Sequence, residues 1–202
     1  MPDLHDIQEI CGRLDRGEID RVRFLEQFTE ALAAQIGCTR AGVWIFIDTA
    51  EGRALRCLAM YDRRYSGMVT ATDMLNAAVG PYFDALLADG CVIASDARNH
   101  ATTRIFLEDY LEPQDIHSVL DVCFSINGVL FGTFSCEQTG APVTWTQRQL
   151  QLVRQIGSRA SLALLHAATA TIDTEPAALW EPSSPNRLLT QPLPLPLPDD
   201  KP

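Results

Sequence analysis

Lysine is almost missing from this chain: of its 16 basic residues other than histidine, 15 are arginine and one is Lys201, next to the last position. A phosphate-loop lysine, a Schiff-base lysine or a catalytic lysine pair is therefore excluded from everything before it. Clustered positive charge is missing as well. A formal net charge of -10 and a pI near 4.7 argue against DNA, RNA or an anionic membrane surface as the main partner, because such binding draws on grouped Lys and Arg. No hydrophobic run reaches the length of a membrane span, and the opening "MPDLHDIQEICGRLDRGEID" is acidic and amphipathic where a secretory leader is basic and then apolar. The expectation is a cytoplasmic protein.

The six cysteines (Cys11, Cys38, Cys57, Cys91, Cys123, Cys136) include no Cys-x-x-Cys pair, and none has a histidine at metal-ligand spacing. No metal site is expected. In a reducing compartment such cysteines read as small buried hydrophobes. No internal repeat is present.

What the chain does have is apolar content, 47% over 202 residues, enough for one domain with a buried core. Residues 4 to 16 read as a short helix. Ile19, Val22, Leu25, Phe28, Leu32 and Ile36 then recur at helical spacing up to Gly37, which ends the helix. "RAGVWIFIDTAEGRALRCLAMYD" gives two strands joined at Glu51-Gly52. "ATDMLNAAVGPYFDALLADG" reads as a helix interrupted at Gly80-Pro81, "CVIASD" as a short buried strand, and "ATTRIFLEDYLEPQD" as a short helix stopped before Pro113. A long helix starts at "TWTQRQLQLVRQI" with a capping box of Thr146 and Gln149. Eight of the 12 prolines fall in residues 170 to 202, so 169–202 is expected to be a disordered or polyproline-like tail. The expected division is a helical extension over 1–18, a domain over 19–168 and that tail. The element order predicts an α+β fold built on an antiparallel sheet.

The most informative stretch is "SVLDVCFSINGVLFGTFSCE", residues 118 to 137. Asn127-Gly128 predicts a type I′ hairpin turn, which fixes a register. Counting outward from it puts Phe124 opposite Phe131, Val122 opposite Thr133 and Leu120 opposite Ser135 on a greasy face. The same count puts Cys123 opposite Gly132, Asp121 opposite Phe134 and Val119 opposite Cys136 on a mixed face. The greasy face suits the terminal helices. Asp121, a carboxylate in a covered strand, needs hydrogen-bond donors. Either a protein group supplies them or a polar ligand does.

A hairpin of this form followed by "WTQRQLQLVRQI" resembles the closing half of a GAF domain, and "AGVWIFIDTAEGRALRCLAMYD", "YFDALLADGCVIASDA" and "TTRIFLEDYLEPQDIHS" resemble its opening half in the same order. The resemblance covers about residues 19 to 168. It implies a sheet of five or six antiparallel strands, terminal helices on one face, and a small-molecule pocket under short helices on the other. It also implies a non-catalytic sensory or regulatory module. Such modules act on an output domain, and with none in these residues the signal would pass to a separate partner such as a kinase or a cyclic-nucleotide enzyme. Asn99, His100, Phe106 and Asp109 echo the cyclic-nucleotide signature of the family without its lysine. Phe106 and Leu107 stand where bilin-binding members carry Cys-His before Tyr-Leu, here Tyr110-Leu111.

The implied ligand-binding residues are Asp121, Cys123 and Phe134 on the strands, Tyr82, Phe83, Phe106 and Tyr110 on the middle helices, and Asp96, Arg98 and Thr103 around the loop. No catalytic residue is assigned and the cofactor is left open. The competing expectation is a thiol-dependent reductase of free methionine sulfoxide using Cys91 with Cys123 or Cys136, although residues 112 to 118 hold no cysteine. A third is an adaptor with a collapsed pocket whose tail docks a partner. Remaining apolar stripes on the first and last helices predict a homodimer.

Overall fold

A computed structural model describes residues 4–75, 78–172, 179–180 and 191–192. Two helices come first, α1 (His5–Asp15) and α2 (Arg21–Ile36). The Asp20 side chain caps α2 by accepting from the Arg23 amide at 2.8 Å, and Gly37 ends it in the left-handed conformation. Strands β1 (Arg40–Thr49) and β2 (Gly52–Asp62) form the first hairpin. Two short strands follow, β3 (Gly67–Thr70) and β4 (Asp73–Leu75). Next come α3 (Gly80–Asp89) and β5 (Cys91–Ala94). A single 3₁₀ turn at Arg104–Phe106 runs into a wide π turn at Leu107–Leu111. The long hairpin β6 (Ile116–Ile126) and β7 (Val129–Thr139) and the helix α4 (Gln147–Ile172) complete the domain.

The sheet order is β5-β6-β7-β1-β2-β3, antiparallel at every step, with β4 paired to β2. This is the expected α+β architecture, with its terminal helices on one face and its short helices on the other. "ATDML" is the exception: expected to open a helix, it supplies β4, because Asp73 accepts from the buried Arg56 at 3.0 Å and from the Cys57 amide at 3.3 Å and so holds the segment against β2. The expected disorder of the tail falls mostly outside the described residues. Within 169–202, α4 continues to Ile172, Leu179–Trp180 (β8) pairs parallel with β4, and Gln191–Pro192 (β9) pairs antiparallel with β3.

Asn127 (φ 51°) and Gly128 (φ 78°) make the expected hairpin turn, but the register counted from it fails after one step. Ser125 pairs with Leu130 and Phe124 then pairs with Gly132, so Phe131 is an extra, bulged residue. Gly132 is the reason the strand can do this. A Cβ there would stand 2.1 Å from the Trp44 carbonyl oxygen, so only glycine lets β7 lie this close to β1 at that point. Beyond the bulge every β7 side chain changes sides: Phe134 and Cys136 join the greasy face opposite Val122 and Leu120, and Ser135 and Glu137 turn to the other face.

The greasy face packs under α1, α2 and α4. Phe134 stacks on Phe124 at 4.6 Å and meets Phe28 at 5.8 Å, all within a core that also takes Ile7, Cys11 and Leu14 of α1 and Val153, Ile156 and Leu164 of α4. Each such phenylalanine stabilises the fold by about 1.5–3 kcal/mol. The Thr146–Gln149 capping box that opens α4 is present in both directions, at 3.0 and 3.2 Å.

Candidate functional site

The opposite face of the same strands is polar where it should be greasy. Two rows of side chains cross it: Met60, Gly42, Ser135, Asp121 and Val92 in one, Asp62, Arg40, Glu137, Val119 and Ala94 in the next. Three acids and an arginine thus sit on the middle strands of a covered sheet. Arg40 is fully buried, 3.2 Å from Asp62 and 3.1 Å from Glu137, with its guanidinium 5.5 Å from the centre of the Tyr110 ring. Burial alone would lower its pKa, but Glu137, Tyr110 and Asp62 outweigh that and raise it. Asp62 is also gripped by Arg64, at 2.7 and 3.1 Å.

Two cover segments close over these rows, and each is fastened by a tyrosine. Tyr82 of α3 donates its hydroxyl to Asp121 Oδ2 at 2.7 Å; Tyr110 of the π turn donates to Glu137 Oε1 at 2.7 Å. Burial pushes both phenols well above their usual pKa, so both remain donors. Phe106 sets its ring edge-on to Tyr82 at 5.0 Å. The Thr103 hydroxyl donates to the Ala97 carbonyl at 2.6 Å.

Between cover and sheet lies a cavity of about 30 Å³, lined by Trp44, Met74, Tyr82, Thr103, Phe106, Tyr110, Leu111, Val119, Asp121, Ser135 and Glu137. That holds about two waters. Asp121 is 3% exposed, and its Oδ1 meets no donor at hydrogen-bond geometry. Burial lifts its carboxyl to about 7; the neighbouring Ser135 and Tyr82 hydroxyls restrain the rise and Glu137 adds to it.

Of the residues named from the sequence, the structure brings Asp121, Tyr82, Thr103, Phe106 and Tyr110 to this one cavity. It leaves five others away from it. Phe83 is buried beside it, edge-on to Phe46 at 5.9 Å. Asp96 accepts from Asn99 at 2.9 Å, and Arg98 reaches the Ile116 carbonyl at 2.9 Å and Asp115 at 3.2 Å. Cys123 lies against the Leu86 carbonyl at 3.5 Å. Phe134 is a correction: the bulge puts it in the helix-side core, on the wrong face to meet a ligand here. Sequence reasoning missed Glu137, Ser135, Trp44 and Arg40. For the first two a signal existed, since a glycine inside a strand pattern, here Gly132, marks a bulge or a close backbone approach.

Cys91, Cys123 and Cys136 do not gather, although Cys38 lies against Cys136 in the helix-side core. Cys91 lies on the helix side, 3.8 Å from Arg154, while Cys123 lies on the cavity side with its thiol pushed up to about 12 by burial. Cys136 is fully buried two strands from Cys91, about 12 Å away by ladder spacing. Among the described residues no group of three or more His, Cys, Asp or Glu could hold a metal ion, and none of the helices is long and apolar enough to cross a membrane.

The family model for the GAF domain matches residues 20–164. The chain belongs to the GAF domain family. Its solved likenesses include the phycocyanobilin-bound GAF domain of a cyanobacterial phytochrome, at 11% identity and TM-score 0.62, covering 83% of this chain and 97% of that one. The GAF domain of an Acinetobacter phosphoenolpyruvate-protein phosphotransferase superposes with TM-score 0.59 at 12% identity, covering 85% and 97%. A free methionine-R-sulfoxide reductase from Neisseria meningitidis, in complex with its substrate, gives 0.59 at 14%, covering 82% and 89%. At such identities the likeness shows the fold alone. No curated protein matches the chain.

Proposed function

We propose that this GAF domain is a non-catalytic sensory module: a small molecule binds between the sheet and its covers, and occupancy is relayed to a separate partner protein. The observation that carries this reading is the Asp121 Oδ1 atom, buried at the wall of the cavity with the Ser135 hydroxyl nearby but no donor at hydrogen-bond geometry. Such an oxygen costs stability unless something else supplies the hydrogen bond. A ligand larger than about two waters must displace part of the wall, and Tyr82 and Tyr110, which fasten the covers to Asp121 and Glu137, are the parts that would couple occupancy to cover position. The hairpin that holds Asp121 and Glu137 also packs its other face under α4, which gives the change a path to the helix side.

The domain proper spans 19–168 in this proposal, with α1 as an extension docked on its helices. The partner is a kinase or a cyclic-nucleotide enzyme, the setting is cytoplasmic, in keeping with six unpaired cysteines, and the assembly is a homodimer through the outer helices, where Leu162 of α4 is 67% exposed. A thioether-linked bilin is disfavoured because no cysteine lines the cavity. The reductase alternative has the likeness to the Neisseria meningitidis enzyme in its favour and the separation of Cys91, Cys123 and Cys136 against it.

Mass spectrometry of small molecules released from the natively purified protein, with a thermal-shift screen of metabolites, tests the reading. The expected result is a released or stabilising molecule whose effect is lost on Asp121→Asn. Thiol-dependent reduction of free methionine sulfoxide that Cys91→Ser abolishes would overturn it, as would a protein that neither releases nor responds to any molecule.

A further inference from the structure

We propose that the chamber takes a small cation with N–H donors, an ammonium or guanidinium head, seated on Asp121 against the surrounding aromatic rings. This rests on the reading of the chamber as a ligand site and adds its chemistry. The walls contribute two carboxylates, Asp121 and Glu137, and no basic side chain. Arg40 lies behind Glu137 and is shared between Glu137 and Asp62, and Asp62 is held in turn by Arg64. Two arginines thus balance two acids, which leaves the charge of Asp121 without a counterpart. An anionic ligand would face uncompensated negative charge.

The hydrogen-bond inventory points the same way. The donor of Tyr82 is committed to Asp121, that of Tyr110 to Glu137 and that of Thr103 to a backbone carbonyl. The Ser135 hydroxyl lies beside Asp121, and what remains without hydrogen-bond geometry is two acceptors, Asp121 Oδ1 and Glu137 Oε2, the second of them ion-paired to Arg40 at 3.1 Å. A guest must therefore bring donors, and a charged donor makes the stronger bond to a carboxylate. Trp44, Phe106, Tyr82 and Tyr110 add aromatic walls of the kind a cation favours, and the Tyr110 ring already has one, the Arg40 guanidinium, 5.5 Å from its centre. The cavity volume limits the head to a few heavy atoms unless a cover moves.

The groups facing Asp121 are Tyr82 from α3, Ser135 and Glu137 from β7, and Cys123 on its own strand, with Arg40 of β1 behind Glu137. Burial pushes the Tyr82 and Cys123 groups up and out of the neutral range. Asp121 is then the carboxyl whose ionisation follows pH near 7.

Isosteric pairs test the proposal on the full chain: methylguanidinium against N-methylurea, and ethylammonium against ethanol, with acetate as the anion. The reporters are the NMR resonances of the Trp44 indole and the Tyr82 and Tyr110 rings. At about pH 8.5 each cation should bind at least about tenfold more tightly than its neutral isostere, the worth of one charge-assisted hydrogen bond. Asp121→Asn should remove that preference. In the unaltered protein, which needs no variant to fold, the preference should shrink as the pH falls to about 5.5 and Asp121 takes up its proton. A neutral isostere or acetate binding as well as the cation, or a preference indifferent to pH, would overturn the charge class while leaving the chamber a ligand site. Probes that shift none of these resonances would overturn both.

Discussion

The helix side and the chamber side of the sheet are built from alternate residues of the same strands, yet they bury opposite chemistry. Phe124 and Phe134 face α2 and α4, while Asp121, Ser135 and Glu137, one residue away from them or fewer than five, face the covers. On the helix side the buried groups are mostly apolar, and the stacked rings fill the space. On the chamber side each buried charge needs a named partner, and where one oxygen, Asp121 Oδ1, has no donor at hydrogen-bond geometry, the structure has a cavity. That contrast is the basis for placing ligand chemistry on one side and relay on the other.

The largest expected effect breaks the helix side. Phe134→Ala should cost about 3–5 kcal/mol in urea unfolding, through lost burial and the space left between Phe28 and Phe124, while the chamber keeps its preference for cations. An effect on the chamber equal to that of Asp121→Asn would erase the distinction between the faces. Arg40→Met attacks the chamber side and should also cost about 3–5 kcal/mol, because Glu137 and Asp62 are left buried without their shared cation. Adding Glu137→Gln should recover part of that loss. Its recovery, read as a double-mutant cycle, shows that the cost is one of charge and not of shape.

Asp121 sharpens the comparison through pH. Unfolded, it loses its proton near about 3.9; folded, it keeps it until about 7. Between those values the folded state binds the extra proton, so stability falls as pH rises across the window and levels off above it. The fall amounts to at most about 4 kcal/mol for this group, and Asp121→Asn should flatten it. The smallest effect belongs to neither face: Thr146→Ala removes the cap of α4 and should cost about 1 kcal/mol without touching the chamber.

Much of this was legible from the residues. Helical spacing gave α2 and α4, the Asn127-Gly128 pair gave the turn, and the apolar runs gave the strands. Asp121, Tyr82, Thr103, Phe106 and Tyr110 reach one cavity as a resemblance of pattern implied they would be near one another. The misreadings share a physical cause. Register counted from a turn assumes a ladder without bulges, and one extra residue, Phe131, reversed the face of Phe134 and hid Ser135 and Glu137. Arg40 escaped because nothing local distinguishes an arginine that will be buried among acids from different strands from one that will face solvent. "ATDML" became a strand through tertiary contacts from Arg56 and Cys57 that its own sequence does not contain.

The most direct test of the account is the carboxyl-carbon NMR titration of Asp121 with and without methylguanidinium. The account predicts a midpoint near 7 in the free protein, moving down when the cation is added, since a bound cation favours the carboxylate. A midpoint near the ordinary aspartate value of about 4, unmoved by the cation, would show a carboxylate already satisfied or solvated and would contradict it.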